Sequence, residues 1–434
     1  MNYFRQIKLP AITVSILTLL ISASTHGTTL QEVYEMAVKS DPLLQQATAS
    51  LQSSKESIVQ AKAALLPTLD GQAKAGWQDQ SNSQNSHDKG YVVNLNQPVY
   101  SPALKSAYSK VKLLEQQATI LLQRNQQDLI IRTVNAYLEA MIAKSDLSTA
   151  KAQERAIKRR LDRVNAEFEV GVIAITDVHE AQASYDNTKV NLIISEGQLE
   201  NSLEVLQRLT NTKISNIDRL DNNYKITPLS PNNPEHWITQ AIANNLNILA
   251  GKRSIESSQQ DINIANSALK PAVNLQASHG RNNNSKSGFV TDNTVSLVLS
   301  MPLYSGGALK SKVRQALLAQ QIEKSQQQDN IRALTQRTRT LIRDIQTNIL
   351  AIKARKQSII SSRAALDAIS EGFKVGTRNI VDLLQAEQAL FSAQNQFATA
   401  RLNHIKMLFK LKLEIGKVEQ ADIIDLTQWM QRPS

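Results

Sequence analysis

The sequence predicts a mixed, mainly α fold in which one unit of about two hundred residues occurs twice. Three observations predict it: landmark motifs recur at a nearly constant interval, long stretches lack proline, and four short segments alternate apolar and polar residues. The 434 residues include only 14 glycines and 11 prolines, which cluster at a few places, and only 4% are aromatic. We therefore expect long helices packed side by side, with little buried volume per residue and a smaller β part.

The repeat is visible in three pairs of segments that occur in the same order. The pairs are AALLPTLDGQA with SALKPAVNLQA, NLNQPVYSPALKSAYSKVK with LVLSMPLYSGGALKSKVRQ, and EVGVIAITDVHEAQASY with KVGTRNIVDLLQAEQAL. Each second copy follows its first by about 204 residues, which indicates a repeated domain half and not a solenoid. We assign residues 28–227 to the first repeat and residues 228–434 to the second.

The N-terminus, residues 1–27, has the pattern of a cleaved secretory signal peptide. Arg5 and Lys8 precede the apolar run Ala11–Ile21, and small residues follow it. This run is too short to span a bilayer as a helix. The chain has no cysteine, which removes a disulfide framework and an N-terminal lipid anchor. The net charge of +11 is spread along helices among acidic residues, as on a solvated face, so we do not expect nucleic acid as a partner.

Helical patterns account for most of each repeat. They cover Leu30–Leu66, Pro102–Phe168, Thr176–Thr210, Trp237–Leu269, Ala308–Phe373 and Ile380–Ile415. The longest would reach about 100 Å. The long patterns form two hairpins, 102–210 and 306–415, and apolar residues seven apart predict coiled-coil packing within them. A plain structural coiled coil is the alternative interpretation.

Strand patterns occupy residues 67–80, 89–100, 271–281 and 290–303. Each has one apolar and one polar face and is about the length that crosses a membrane when tilted. A small soluble hairpin would show the same alternation. A membrane sheet has to close, and four strands are too few, since the smallest barrels have about eight. Three copies in a cyclic trimer would supply twelve strands, with the polar faces lining a passage and the helices forming a second tube below it.

These features resemble the TolC family of outer-membrane efflux and type I secretion ducts, over about Thr28 to Ile415. The resemblance rests on the duplicated strand motifs and on the corner VGTRNIVDLL beside VGVIAITDV. It implies a trimeric α-helical barrel continuous with a 12-stranded outer-membrane β-barrel. It also implies an equatorial domain that includes the C-terminal segment 416–434.

The resemblance further implies a passive channel-tunnel in the outer membrane of a Gram-negative bacterium that extends into the periplasm. Drugs or secreted proteins would enter it from a periplasmic adaptor (membrane fusion) protein and an inner-membrane ABC or proton-driven pump. An exported coiled-coil structural or adhesion protein without a pore is the alternative. Lipid-facing strands discriminate against it, because a fibrous coiled coil needs none.

The two corners would be the hairpin tips at the periplasmic mouth. Gly171 and Gly376 suit the left-handed conformation that ends a helix, and Thr176, Asn379 or Thr377 could cap the helix that follows. By resemblance, Thr176 and Asp177 of one hairpin bond to Arg378 of the other and hold an iris-like gate shut. The family usually has tyrosine where Phe373 stands, so one closing bond is missing. On their own, Asp177 and Arg378 would be read as solvated helix-end charges.

Asp382 matches a pore-constricting aspartate of the family, whereas Gln385 stands where its best-known members have a second one. One carboxylate ring beside one amide ring is therefore expected. Independently, Asp382 suits the first turn of a helix through the macrodipole. No metal ligands, phosphate-binding loop or nucleophile constellation is recognisable, so we expect no enzyme activity, no cofactor and no metal. Adjacent His179 and Glu180 would not converge on one ion.

Overall fold

The computed structural model describes residues 27–80, 83–284 and 288–431, so the predicted signal peptide lies outside the described residues except for Gly27. Within these ranges each half of the chain has two short helices, a β-hairpin and two long helices. The helices are α1 Leu30–Ser40, α2 Pro42–Ala63, α3 Pro102–Glu169, α4 Ile175–Thr210, α5 Pro234–Asn244, α6 Leu246–Ser267, α7 Ala308–Lys374, α8 Ile380–Glu414 and α9 Gln420–Thr427. The strands are β1 Thr68–Gln80, β2 Ser83–Tyr100, β3 Arg219–Leu220, β4 Ala272–Asn284, β5 Gly288–Ser300 and β6 Met430–Gln431.

The four long strands form one antiparallel sheet in the order β1-β2-β4-β5. The two repeats therefore meet at its centre, where β2 of the first pairs with β4 of the second, for example Leu95 with Ala277. β1 and β5 are the two edges, and in this single chain each has a strand partner on one side only. The sheet is consequently open, and its edges present main-chain donors and acceptors to whatever lies beside them.

The strand register sorts the side chains into two chemically different faces, because neighbouring residues of a strand point to opposite sides. One face, here called the apolar face, carries Leu69, Val93, Leu95, Val273, Leu275, Ala277, Val295, Leu297 and Leu299. The opposite, polar face carries Asp70, Gln72, Asn94, Asn96, Gln276, Ser278, Thr294 and Ser296. Leu69, Val295, Leu297 and Leu299 are all more than 60% exposed, so none of the described residues covers that face at these positions.

Long helices extend from the end of the sheet opposite its hairpin tips. α3 has 68 residues and α7 has 67, which corresponds to about 100 Å each. α3 packs against α2 and α6, and α6 packs against α7. Farther along, α3 packs against α4 and α8, and α8 packs against α7. Within the described ranges no helix combines the length and the apolarity needed to cross a lipid bilayer.

The outermost helices of this wall carry exposed apolar side chains. α2 and α4 lie at one side and α7 at the other. Their exposed residues are Leu43 and Val59 on α2, Val190, Ile193 and Ile194 on α4, and Leu318, Ile322, Leu350 and Ile360 on α7. Both sides of the helical wall are therefore apolar where the chain itself offers no further neighbour.

Leu30–Leu66, expected from its pattern as one helix, is divided at Asp41. The residue before a proline avoids the helical conformation, and Asp41 is extended in front of Pro42. Its carboxylate caps α2 by accepting the Leu44 N–H at 2.8 Å, and it accepts two bonds from Arg132 of α3 at 2.7 and 3.1 Å. Burial alone would raise the pKa of Asp41, but the Arg132 bonds and the amide bond outweigh it and lower that pKa.

The expected single helix Trp237–Leu269 is likewise divided, at Asn245. The Asn245 side chain accepts the N–H groups of Asn247 and Ile248 and so caps α6, and it donates to the Glu414 carbonyl oxygen at 3.0 Å. The residue at each helix break therefore also bonds to a long helix, Asp41 to α3 and Asn245 to α8. Periodicity continued through both breaks and gave no signal for them.

The largest core lies midway along the helices, where α1, α9 and the β3–β6 pair wrap around α3, α4 and α8. Tyr137 of α3 is fully buried at its centre. Its hydroxyl donates to the Thr28 carbonyl oxygen and accepts from the Asp218 N–H, both at 2.9 Å. Burial raises the pKa of Tyr137 far above its usual range. Both ends of the described chain are anchored at this level.

Candidate functional site

The two hairpin tips repeat one turn geometry. At the end of α3, Gly171 donates to the Phe168 carbonyl oxygen and Val172 to that of Glu167, each at 2.9 Å. At the end of α7, Gly376 donates to the Phe373 carbonyl oxygen at 3.1 Å and Thr377 to that of Gly372 at 2.9 Å. Such paired bonds define a Schellman motif, which needs a left-handed residue. Gly171 and Gly376 have φ of +76° and +77°.

The helices that leave the tips begin differently. Asn379 caps α8 by accepting the Asp382 N–H at 2.8 Å. Thr377 does not cap α8, because its hydroxyl donates back to the Gly372 carbonyl oxygen at 3.0 Å. The expectation that Thr176 caps α4 is wrong: Ala174 occupies the cap position without a side-chain bond, and Thr176 is already inside the first turn. Thr176 is therefore exposed and keeps its hydroxyl available.

Of the charged residues at the expected gate, Asp177 and Asp382 lie in the first turns of α4 and α8, and Arg378 lies in the turn that precedes α8. Asp177 is the acidic residue of the α4 first turn. Arg378 is 59% exposed and lies 3.7 Å from Asp382 in the first turn of the helix that follows it, a loose pair. Among the ion pairs of the described residues, Arg378 has this partner and not Asp177. The predicted link between Arg378 and the Thr176–Asp177 corner remains a prediction for the assembled protein.

An apolar cluster unites four helices just behind the tips. It contains Ile157, Leu161 and Val164 of α3, Ala181 of α4, and Ile380, Leu383 and Leu384 of α8, with Phe373 of α7 packed against it. Phe373 therefore contributes packing at the place where the family usually has tyrosine. Asp382 is partly exposed and Gln385 is exposed, so both remain accessible on α8 while its opposite side is buried.

One ion pair beside this cluster was not anticipated from the sequence. Arg160 of α3 donates to Glu387 of α8 at 2.9 Å, and the two side chains are only 14% and 11% exposed. Arg160 Nε and Glu387 Oε2 have no partner among the described residues. The pair ties the first hairpin to the second, five residues after Asp382. A signal existed: Glu387 interrupts the buried stripe of Leu383 and Leu390.

Metal chemistry finds no support in the described part of the chain, which contains no group of three or more His, Cys, Asp or Glu side chains that could hold an ion. His179 and Glu180 are both exposed on α4. The tip region thus consists of two glycine turns, helix-end charges and an ion pair between two hairpins.

Comparison with solved structures identifies the class of protein that this fold defines. The structure superimposes on a crystal structure of the transmembrane channel CusC with a TM-score of 0.81, covering 90% of this chain and 93% of the other at 15% identity. The chain therefore has the same fold as that channel protein.

The family follows from the sequence. The pattern of the family described as Outer membrane efflux protein matches residues 33–212 and 237–416, one match in each repeat. The chain is 31% identical over 434 residues to the outer membrane protein TolC of Escherichia coli, covering 95% of this chain and 87% of the relative. It is 26% identical over 428 residues to the alkaline protease secretion protein AprF of Pseudomonas aeruginosa, covering 93% and 88%. The chain belongs to the outer membrane efflux protein family.

The resemblance, location and function class predicted from the sequence are confirmed by these comparisons. The protein is located in the outer membrane. It is an outer-membrane channel for efflux or type I secretion. The alternative of an exported coiled-coil structural or adhesion protein without a pore is not favoured.

Proposed function

We propose that three copies of the chain form one passive duct, in which their sheets close a 12-stranded barrel and their helices form a tunnel that ends in a gate. The observation that carries this proposal is the open sheet, with a polar face, an exposed apolar face and two unpaired edges. An open edge cannot persist in lipid, because unpaired main-chain groups there cost several kcal/mol each. Pairing β1 of one copy with β5 of the next removes every edge.

The helices support the same arrangement. The helical wall has the same left-to-right order as the sheet. Helices α2 and α4 lie on the side of edge strand β1, and α7 lies on the side of edge strand β5. Their exposed leucine, isoleucine and valine residues would be covered by the next copy, which makes the apolar sides of neighbouring chains complementary. A single rotation axis relating the three copies would therefore pair the sheet edges and cover the exposed helix faces at the same time.

The height of the apolar face suits a bilayer. It runs along β2 from Tyr100 to Tyr91, which is roughly 30 Å at the usual rise per residue. A barrel tilt of about 35–45° reduces this to roughly 20–25 Å, close to the apolar band of outer-membrane barrels. Tyrosines at both ends suit the two membrane interfaces. The polar face would line a water-filled passage.

The duct would conduct drugs or secreted proteins that a periplasmic adaptor and an inner-membrane ABC or proton-driven pump deliver to its mouth. Among the relatives, one is named for efflux and one for protease secretion. We propose no enzyme activity for the chain, so the energy would come from the pump. Outer-membrane lipid is the remaining partner.

At the mouth, Arg378 of one hairpin would bond to Thr176 and Asp177 of another and hold the tips together. Arg378 is suited to this because it is exposed, its present pair is loose, and a guanidinium can engage a carboxylate with two parallel bonds. Three copies of Asp382 would form the constriction, with Gln385 as a neutral ring beside it. Carboxylate rings of this kind favour cations.

Single-channel recording in planar bilayers tests the duct and the gate separately. Arg378→Ser and Asp177→Ala should raise conductance, and Phe373→Tyr should lower spontaneous opening by restoring a bond. Lys374→Ser is the matched control, because it removes a charge at the same tip from a local pair with Glu371. No pores from the wild type would contradict the duct. Pores whose conductance is unchanged by both gate substitutions would contradict only the gate.

Trivalent cations test the constriction in the same recordings. Asp382→Ala should abolish block, and Gln385→Asp should strengthen it by adding a second carboxylate ring. Block that persists in Asp382→Ala would place the constriction at another level of the tunnel.

A further inference from the structure

The apolar face of the sheet changes character toward the hairpin tips. His279 lies in the row of Val93, and the next two rows toward the tips carry Tyr91 with Arg281 and then Lys89 with Phe289. These five side chains are all exposed. Because long helices leave the other end of the sheet for the periplasm, these rows lie toward the outer leaflet. We call Lys89, Tyr91, His279, Arg281 and Phe289 the outer belt.

Contacts within the outer belt order its cationic and aromatic groups. The Arg281 guanidinium carbon lies 4.6 Å from the centroid of the Phe289 ring, a cation–π arrangement. The Tyr91 hydroxyl lies 3.4 Å from His279 Nε2, and His279 Nδ1 lies 2.6 Å from Asn293 Oδ1. These contacts hold the aromatic rings in place while leaving the N–H groups of Arg281 without a carboxylate among the described ion pairs.

At the level of the outer belt, the two faces of the sheet carry different charges. Lys89 pairs with Asn283, and Arg281 pairs with Tyr91, so the two cations are diagonal neighbours about 7–8 Å apart. Among the described side chains on this face there is no carboxylate. Near these rows the opposite face carries Asp88 and Asp292 together with Lys74. This spacing separates the backbone positions of two exposed, flexible cations, and an anion between their charged ends would reduce their mutual repulsion.

We propose that the outer belt binds the phosphate groups of outer-leaflet lipid, with Lys89 and Arg281 as the phosphate ligands and Tyr91 and Phe289 at the level of the acyl–headgroup boundary. This inference rests on the proposed barrel, which makes the apolar face the lipid-facing one. Arginine and lysine are common phosphate binders, and aromatic rings are enriched at this depth. In a trimer the belt would present six Lys and Arg side chains around the barrel rim.

Native mass spectrometry of the detergent-solubilised protein tests the belt. The probes are lipid A, a phosphorylated glycolipid, and the same lipid with its phosphates removed. The wild type should retain lipid A in preference to the dephosphorylated form. Lys89→Gln and Arg281→Gln should each weaken retention of lipid A about fivefold, the amount expected for one cation at an anionic membrane surface, with little effect on the other lipid.

Lys74→Gln is the matched control. Lys74 lies at the same height on the opposite face, paired with Gly90, so its loss should leave lipid A retention at the wild-type level. Equal retention of both lipids by the wild type, or an equal loss in Lys74→Gln, would overturn the proposal. Pore formation in a bilayer without lipid A tests the duct separately from the outer belt. The Lys89→Gln/Arg281→Gln variant should conduct like the wild type there, whether or not the belt binds phosphate.

Discussion

At the scale of single residues, His404 is the least expected feature of α8. It is fully buried, and neither ring nitrogen has a hydrogen-bond partner among the described residues. Burial lowers its pKa, because the charged imidazolium is poorly solvated inside the helical wall. In the folded protein the ring is therefore neutral at neutral pH and packs as an apolar group.

This burial predicts acid sensitivity. The unfolded chain binds a proton at His404 near pH 6.5, whereas the folded chain binds it only at lower pH. Stability from this group is thus present above pH 6.5 and is lost as the pH falls toward the lowered pKa. His404→Leu should show a smaller drop in thermal unfolding midpoint between pH 7.5 and 5.5 than the wild type. The exposed His236 gives the control, His236→Gln, and identical drops in both variants would contradict the prediction.

Gly171 and Gly376 predict a purely conformational effect. Both have positive φ, and a Cβ at either position would meet no atom within 4 Å. Alanine there should cost only the backbone strain, about 1–2 kcal/mol. Gly197 in α4 also has open space but no positive φ, so Gly197→Ala should stabilise its helix by about 0.5–1 kcal/mol. Hydrogen exchange of the tip amides should be faster in Gly171→Ala and Gly376→Ala, and unchanged tip exchange would argue against a strain-determined turn.

At the scale of elements, the Arg160–Glu387 pair connects the two hairpins. Burying two charges is unfavourable by itself, so the pair is explained better by specificity of packing between α3 and α8 than by stability. Asp382 is on the same helix as Glu387 and will follow any movement of α8.

Substitutions of this pair separate the cost of a broken pair from the value of an intact one. Glu387→Gln leaves the Arg160 charge buried without a counter-ion and should destabilise the protein by about 3 kcal/mol. The double variant Arg160→Met/Glu387→Leu should recover the wild-type stability or exceed it. Thermal unfolding of the assembled protein in detergent is the measurement. If the double variant is as unstable as the single one, the pair itself contributes net stability.

Sequence patterns predict elements well where one periodicity dominates. The strand alternation around Leu95 and the heptads around Ile352 have clear periods, and the structure has a strand and a helix there. The sequence analysis does not predict the helix breaks at Asp41 and Asn245. The helical spacing of apolar residues continues across both positions, whereas the break depends on one capping side chain at each. The start of α4 was misplaced because Thr176 is a good cap in isolation, whereas the Schellman turn at Gly171 brings the chain back into a helix earlier. The Arg160–Glu387 pair joins residues that are far apart in the sequence, and hydrophobic periodicity within one helix carries no information about such contacts.

At the scale of the whole molecule, the two faces of the sheet must meet different solvents. Leu95 lies on the apolar face and Asn94, its neighbour, on the polar face at the same height. If lipid covers the apolar face, Leu95→Arg should cost about 2–4 kcal/mol, as for arginine near the bilayer midplane. Asn94→Arg should cost much less, because it would point into water. Unfolding free energies measured in lipid vesicles provide the comparison, and equal costs would mean that both faces meet water.

The whole account depends on three chains pooling their strands, since neither the sheet edges nor the sides of the helical wall are satisfied in one chain. The mass of the detergent-solubilised protein, measured by native mass spectrometry or light scattering, tests this most directly. The account predicts a complex of three chains and no folded monomer without detergent. A stable, folded monomer in water would contradict it, because such a monomer would leave its apolar sheet face and both of its strand edges exposed.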